Sequence, residues 1–174
     1  MKPYFLYFFI YTFVLTACKK EIKIPITTSN IDYLDSSEKD DQYLGGIKMI
    51  PISTPKGEFN VWTKRVGNNP TMKVLLLHGG PGMTHEIYES FDGYFPNEGI
   101  EYYYYDQLGS YYSDQPDDFS LWDLDRFVEE VEQVRIVLEL NKENFYLYGQ
   151  SWGGILAMQY ALKYQENIKG LIIS

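Results

Sequence analysis

The chain has 174 residues, 45% of them hydrophobic and 22% charged, which suits one folded domain and excludes a disordered chain. Its formal charge of −9 argues against nucleic acid as a partner, because phosphate binding needs clustered Lys and Arg. A single cysteine, Cys18, rules out an intrachain disulfide. With only His78 and His85 to join it, no structural metal is expected.

Residues 1–17 read as an export signal. Lys2 opens it, Tyr4 to Leu15 carries no charge, and the small residues Thr16 and Ala17 follow. The apolar run is short for a membrane span. Leu15-Thr16-Ala17-Cys18 resembles a bacterial lipobox, in which the cysteine is lipidated and becomes the new N-terminus. The alternative is an uncleaved anchor with an incidental cysteine. In either case the domain is expected outside the cytoplasm, held to a membrane of the bacterial cell envelope, through a lipid on Cys18 in the first reading. Residues 18–43 are polar and charged and read as a tether, which leaves 44–174 as the domain.

Within the domain, Ile47 to Ser53 and Phe59 to Val66 have the composition of strands. The turn Thr54-Pro55-Lys56-Gly57 joins them as a hairpin. Met72 to Leu77 holds the continuous run Val74-Leu75-Leu76-Leu77, as a strand buried on both faces requires. A helix is expected from His85, then a strand over Ile100 to Asp106 carrying Tyr102 to Tyr105. Ser120 is expected as the N-cap of the next helix, with Asp123 completing a capping box. That helix sets Leu124, Phe127, Val128, Val131, Val134 and Leu138 on one face and Glu129, Glu130, Glu132 and Arg135 on others. Asn144 to Tyr148 reads as a strand, Gly154 to Tyr164 as a helix, and Ile168 to Ile173 as a last strand. The alternation predicts an α/β fold, a mostly parallel sheet with helices on both faces.

Two motifs carry chemistry. Gly149-Gln150-Ser151-Trp152-Gly153 is a G-x-S-x-G pattern between a strand and a helix, with Gly154 following. A sharp turn there lifts the Ser151 hydroxyl above the sheet, and glycines flank it because neighbouring backbone passes close. The helix beyond points its N–H groups and positive dipole end toward developing negative charge. A phosphate-binding loop does not fit, since the Lys-Ser/Thr ending is absent. Earlier, His78-Gly79-Gly80-Pro81-Gly82 closes the buried strand as a rigid loop able to set backbone N–H groups beside a ligand. Each motif alone is also compatible with a strand-to-helix turn of no chemical importance; their order and spacing together favour a hydrolase.

With these residues the sequence resembles the proline iminopeptidase family of α/β-hydrolases. The shared features are HGGPG at 78–82, Asp106-Gln107-Leu108-Gly109-Ser110, and Gly149 to Gly154, within a likeness over residues 46–174. The resemblance implies a serine peptidase that releases an N-terminal residue, typically proline, from a peptide or amide with a free N-terminus. Ser151 would be the nucleophile, and the backbone N–H groups of Gly80 and Trp152 would hold the oxyanion. His78 would brace the loop, and no cofactor is needed. One departure stands out. The family pattern DQxGxGxS has a second Gly where this chain has Tyr111, so a loop of different shape is expected.

A serine nucleophile needs a histidine base oriented by a carboxylate, in chain order after the serine in this fold. His78 and His85 both precede Ser151, and each is an improvised base at best. The expectation is therefore an N-terminal fragment, ending after the sixth strand. The cap, the last strands, and the acid and base would lie beyond Ser174, and the chain would be inactive. Two other functions fit the residues: an esterase or amidase of other specificity, and a non-catalytic envelope binding protein.

Overall fold

The computed structural model describes residues 32–174. The export signal, Cys18 and the first part of the tether lie outside the described residues. Strands β1 (Ile47–Thr54) and β2 (Gly57–Val66) form the expected hairpin, closed where Thr54 pairs with Gly57. Then follow β3 (Lys73–Leu77), β4 (Glu101–Asp106), α1 (Leu124–Val137), β5 (Phe145–Gly149), α2 (Trp152–Tyr164) and β6 (Gly170–Ile173). The sheet order is β1-β2-β4-β3-β5-β6, with β4, β3, β5 and β6 parallel. This is the predicted α/β architecture.

The tyrosine strand is the clearest case of pattern becoming structure. Successive side chains of a strand point to opposite faces. Tyr103 and Tyr105 therefore enter the core with Phe127, Val131 and Val134 of α1 and Leu156 and Tyr160 of α2. Tyr102 and Tyr104 face the other side, with Leu76, Tyr88, Phe91 and Phe95. Buried phenols need partners. Tyr103 donates to Glu101, Tyr105 to Glu130, and Tyr102 and Tyr104 both donate to Asp92.

Four expectations are corrected. The crossover from β3 to β4 is two 3-10 stretches, His85–Gly93 and Phe95–Glu98, where a helix was expected. Gly93 and Pro96 both interrupt a longer helix there, the first by backbone entropy and the second by lacking an N–H. The cap of α1 is Asp123, whose carboxylate accepts from Arg126 N; Ser120 instead sits in a 3-10 turn (Phe119–Leu121), bound to Asp118. Glu130, expected off the apolar face of α1, is buried all the same because Arg126, Tyr105 and the Leu108 N–H all donate to it. Finally, residues 32–43 of the expected tether lie on the domain. Asp41 is buried against Arg65, 2.6 Å away, and the Tyr33 hydroxyl donates to Ile100 O.

Candidate active site

The loops that end β3, β4 and β5 meet at one edge of the sheet. Ser151 occupies the turn between β5 and α2 with φ 55° and ψ −121°, a conformation that costs a residue with a Cβ on the order of 1–3 kcal/mol. Its surroundings hold it there. The Ser151 N–H donates to Ser174 O at 3.1 Å, while Ser151 O accepts from Gly154 N and Ile155 N at 2.9 and 3.2 Å. Packing leaves no freedom beside it: a Cβ on Gly149 would be driven into the carbonyl of Gly153, and one on Gly153 into the carbonyl of Leu77. Ser151 itself remains exposed. Gln150 and Gly154 complete the turn, the former donating its N–H to Leu77 O at 3.3 Å.

The loop His78–Gly82 lies against this turn. A Cβ placed on Gly79 would stand 3.3 Å from Ser151 Cβ. Among the described residues, no turn, loop or cap hydrogen bond uses the N–H of Gly80 or of Trp152. Trp152 is the first residue of α2, a 13-residue helix whose dipole adds positive character there. Gly80 has φ 117°, a conformation open to glycine alone, and Pro81 and Gly82 continue the loop at the surface.

His78 is fully buried with both ring nitrogens engaged. Nε2 accepts from the Gln107 N–H at 3.0 Å, so Nδ1 carries the proton and donates it to Gly79 O at 2.9 Å. Burial holds its pKa below the ordinary histidine value and keeps it neutral. It braces the loop and has no free nitrogen with which to act as base. His85 is held elsewhere. Its Nδ1 lies 3.0 Å from both oxygens of Asp106, and its ring stacks on Trp62 at 4.4 Å. Trp62 belongs to β2, whereas β5 lies beyond β4 and β3. Two strand spacings alone, β4 to β5, are about 10 Å, against the ~3 Å reach of a proton-accepting base. Both histidines of the chain are thus engaged by partners other than Ser151.

Three residues beyond the motif glycines gain their roles from contacts that only the fold makes. Gln107 and Asp106 organise the loop after β4, and buried Glu130 accepts the N–H of Leu108 from behind it at 2.9 Å. The sequence signal for the first two was the Asp-Gln pair itself; Glu130 gave none. In the same loop Tyr111 adopts φ 35°, so the backbone keeps a left-handed bend despite its side chain. Its ring lies 3.9 Å from that of Tyr112.

Comparison with known proteins bears on this geometry. The family profile described as alpha/beta hydrolase fold matches residues 73–174. Proteins named proline iminopeptidase from Elizabethkingia meningoseptica and Flavobacterium johnsoniae are each 68% identical over 126 residues, 72% of this chain and 42% of theirs. The chain therefore spans well under half the length of the curated relatives it matches. The crystal structure of a proline iminopeptidase from Mycobacterium smegmatis superposes with a TM-score of 0.63 at 25% identity, over 72% of this chain and 42% of that one. The structure of VinJ gives 0.63 at 27% identity, over 72% and 43%.

Proposed function

Because the chain belongs to the α/β-hydrolase fold family, a family of hydrolases, we propose that it is the acylation half of a serine peptidase releasing an N-terminal residue, typically proline, from peptides or amides. The observation that carries this reading is Ser151, exposed and held at φ 55° beside two N–H groups that, among the described residues, no loop or cap bond uses. The likeness to proteins named proline iminopeptidase supports the substrate class.

In this mechanism Ser151 Oγ attacks the scissile carbonyl as a base takes its proton, and the C–N bond breaks as that proton passes to the departing amine. Water then hydrolyses the acyl-enzyme to release the N-terminal residue. The N–H groups of Gly80 and Trp152 receive the oxyanion, and each such donor is worth on the order of 100-fold or more in rate. His78 and the glycines of both loops hold these groups in place. The base that takes the Ser151 proton, and the carboxylate that orients it, come from residues of the whole protein other than the two histidines placed here. The 174-residue chain alone is accordingly inactive. A lipid on Cys18 holds the protein to the cell envelope, and a peptide with a free N-terminus reaches it there.

Hydrolysis of a proline arylamide by the full-length protein tests the reading. Turnover that Ser151→Ala abolishes supports it. Turnover of an ester but of no amide would change the substrate class, and turnover by the purified 174-residue chain would overturn its inactivity. Radiolabelled palmitate appearing on the protein, and lost in Cys18→Ser, tests the anchor.

A further inference from the structure

One buried side chain is bound to both halves of the oxyanion arrangement without belonging to either. Gln107 is 1% exposed. Its Nε2 donates to the carbonyl of His78, two residues before Gly80, at 3.0 Å. Its Oε1 accepts from the indole N–H of Trp152 at 3.0 Å. The amide therefore joins the residue that leads into one oxyanion donor to the residue that carries the other. Its orientation is fixed by its partners, because a flipped amide would set oxygen against oxygen and N–H against N–H.

The backbone under this amide is equally fixed. The Gln107 N–H is bound to His78 Nε2, and the next N–H, of Leu108, to buried Glu130. A side chain anchored in this way transmits the position of one loop to the other. From this geometry we propose that Gln107 is a positioning residue for acyl transfer, its amide setting the separation of the Gly80 and Trp152 N–H groups. The inference rests on the acyl-transfer reading of Ser151 above.

The test uses the full-length protein and a proline arylamide. Gln107→Met keeps the length and apolar stem but removes both bonds. It should lower kcat about 10- to 100-fold, the effect of small misplacement at a reacting centre, while leaving KM near the wild-type value. Gln107→Glu should lose kcat when ionised and regain it as the pH falls, since a neutral carboxyl restores one donor and one acceptor. Trp152→Phe cuts the same tie from its other end while keeping the backbone N–H. The double variant with Gln107→Met should then be no slower than the worse single variant.

Wild-type kcat in Gln107→Met, or losses that multiply in the double variant, would overturn the proposal. Equal turnover by wild type and Ser151→Ala, or none by wild type, would instead sink the acyl-transfer reading. Amide signals in NMR then decide the tie by itself. The Trp152 indole N–H and the backbone amides of Gly80 and Trp152 should all shift in folded Gln107→Met. Movement of the indole alone would mean that Gln107 positions neither donor. If Gln107→Met does not fold, the same signals followed against pH in Gln107→Glu give the answer.

Discussion

The loops that end β3, β4 and β5 contrast with the flank formed by α2 and β6. In the loops almost every buried polar side chain has a partner; among the described residues only the Ser110 hydroxyl is a buried side-chain group without one. On the flank, α2 buries Leu156, Ala157 and Tyr160 but leaves Ile155, Met158 and Leu162 exposed, the last at 76%. Beside it Leu171, Ile172 and Ile173 of β6 are 37–48% exposed on the last strand of the sheet. A helix apolar on opposite sides is built to be covered on both. Precision and completeness are therefore separate properties here: the geometry around Ser151 is held from within, while the surface beside it is not sealed by the described residues.

Four substitutions can break or sharpen that contrast. The largest effect belongs to Gly153→Ala, whose Cβ would collide with the carbonyls of Leu77 and His78. It should cost more than about 4 kcal/mol or prevent folding, as read by urea denaturation. Glu130→Ala strands buried Arg126 and frees the Leu108 N–H. About 3–5 kcal/mol should be lost, and a loss below about 1 kcal/mol would mean that the loop after β4 does not depend on it.

His78 gives a smaller, pH-dependent signature. Its folded pKa is depressed, so above the ordinary value of 6.5 neither state takes up a proton and its contribution is complete. As the pH falls below 6.5 the unfolded chain binds a proton first, and stability should fall by up to about 1.4 kcal/mol per pH unit. Replacing His78 by Gln should remove that slope. The smallest change is on the open flank: Leu162→Lys should alter stability by less than about 0.5 kcal/mol while raising the concentration at which the protein stays monomeric. A cost above about 1 kcal/mol would show Leu162 to be packed after all.

What the sequence disclosed follows the range of the interactions involved. The hairpin, the buried run Val74 to Leu77 and the turn around Ser151 depend on neighbours within a few residues, and all were legible. The cap of α1 was not, because Ser120 and Asp123 are both residue types that cap helices and only the folded chain chooses between them. Glu130 lies off the apolar stripe of α1, and nothing local marks it as buried until the tyrosine strand comes to lie over it. Gln107 meets partners 29 and 45 positions away, and His85 meets Asp106 at 21. No local pattern encodes such meetings.

The tyrosine strand also gives the protein an upper limit in alkali. Burial, and the carboxylates that receive several of the hydroxyls, raise the pKa of Tyr102, Tyr103, Tyr104 and Tyr105 above the ordinary 10.0. Below that value the four phenols stay protonated in both states. Above it the unfolded chain releases protons that the sheet retains, so each added pH unit pulls the equilibrium toward unfolding through all four at once. The part of the phenolate absorbance that belongs to these four rings should then lag behind that of free tyrosine and rise abruptly, since they ionise only when the centre of the sheet gives way.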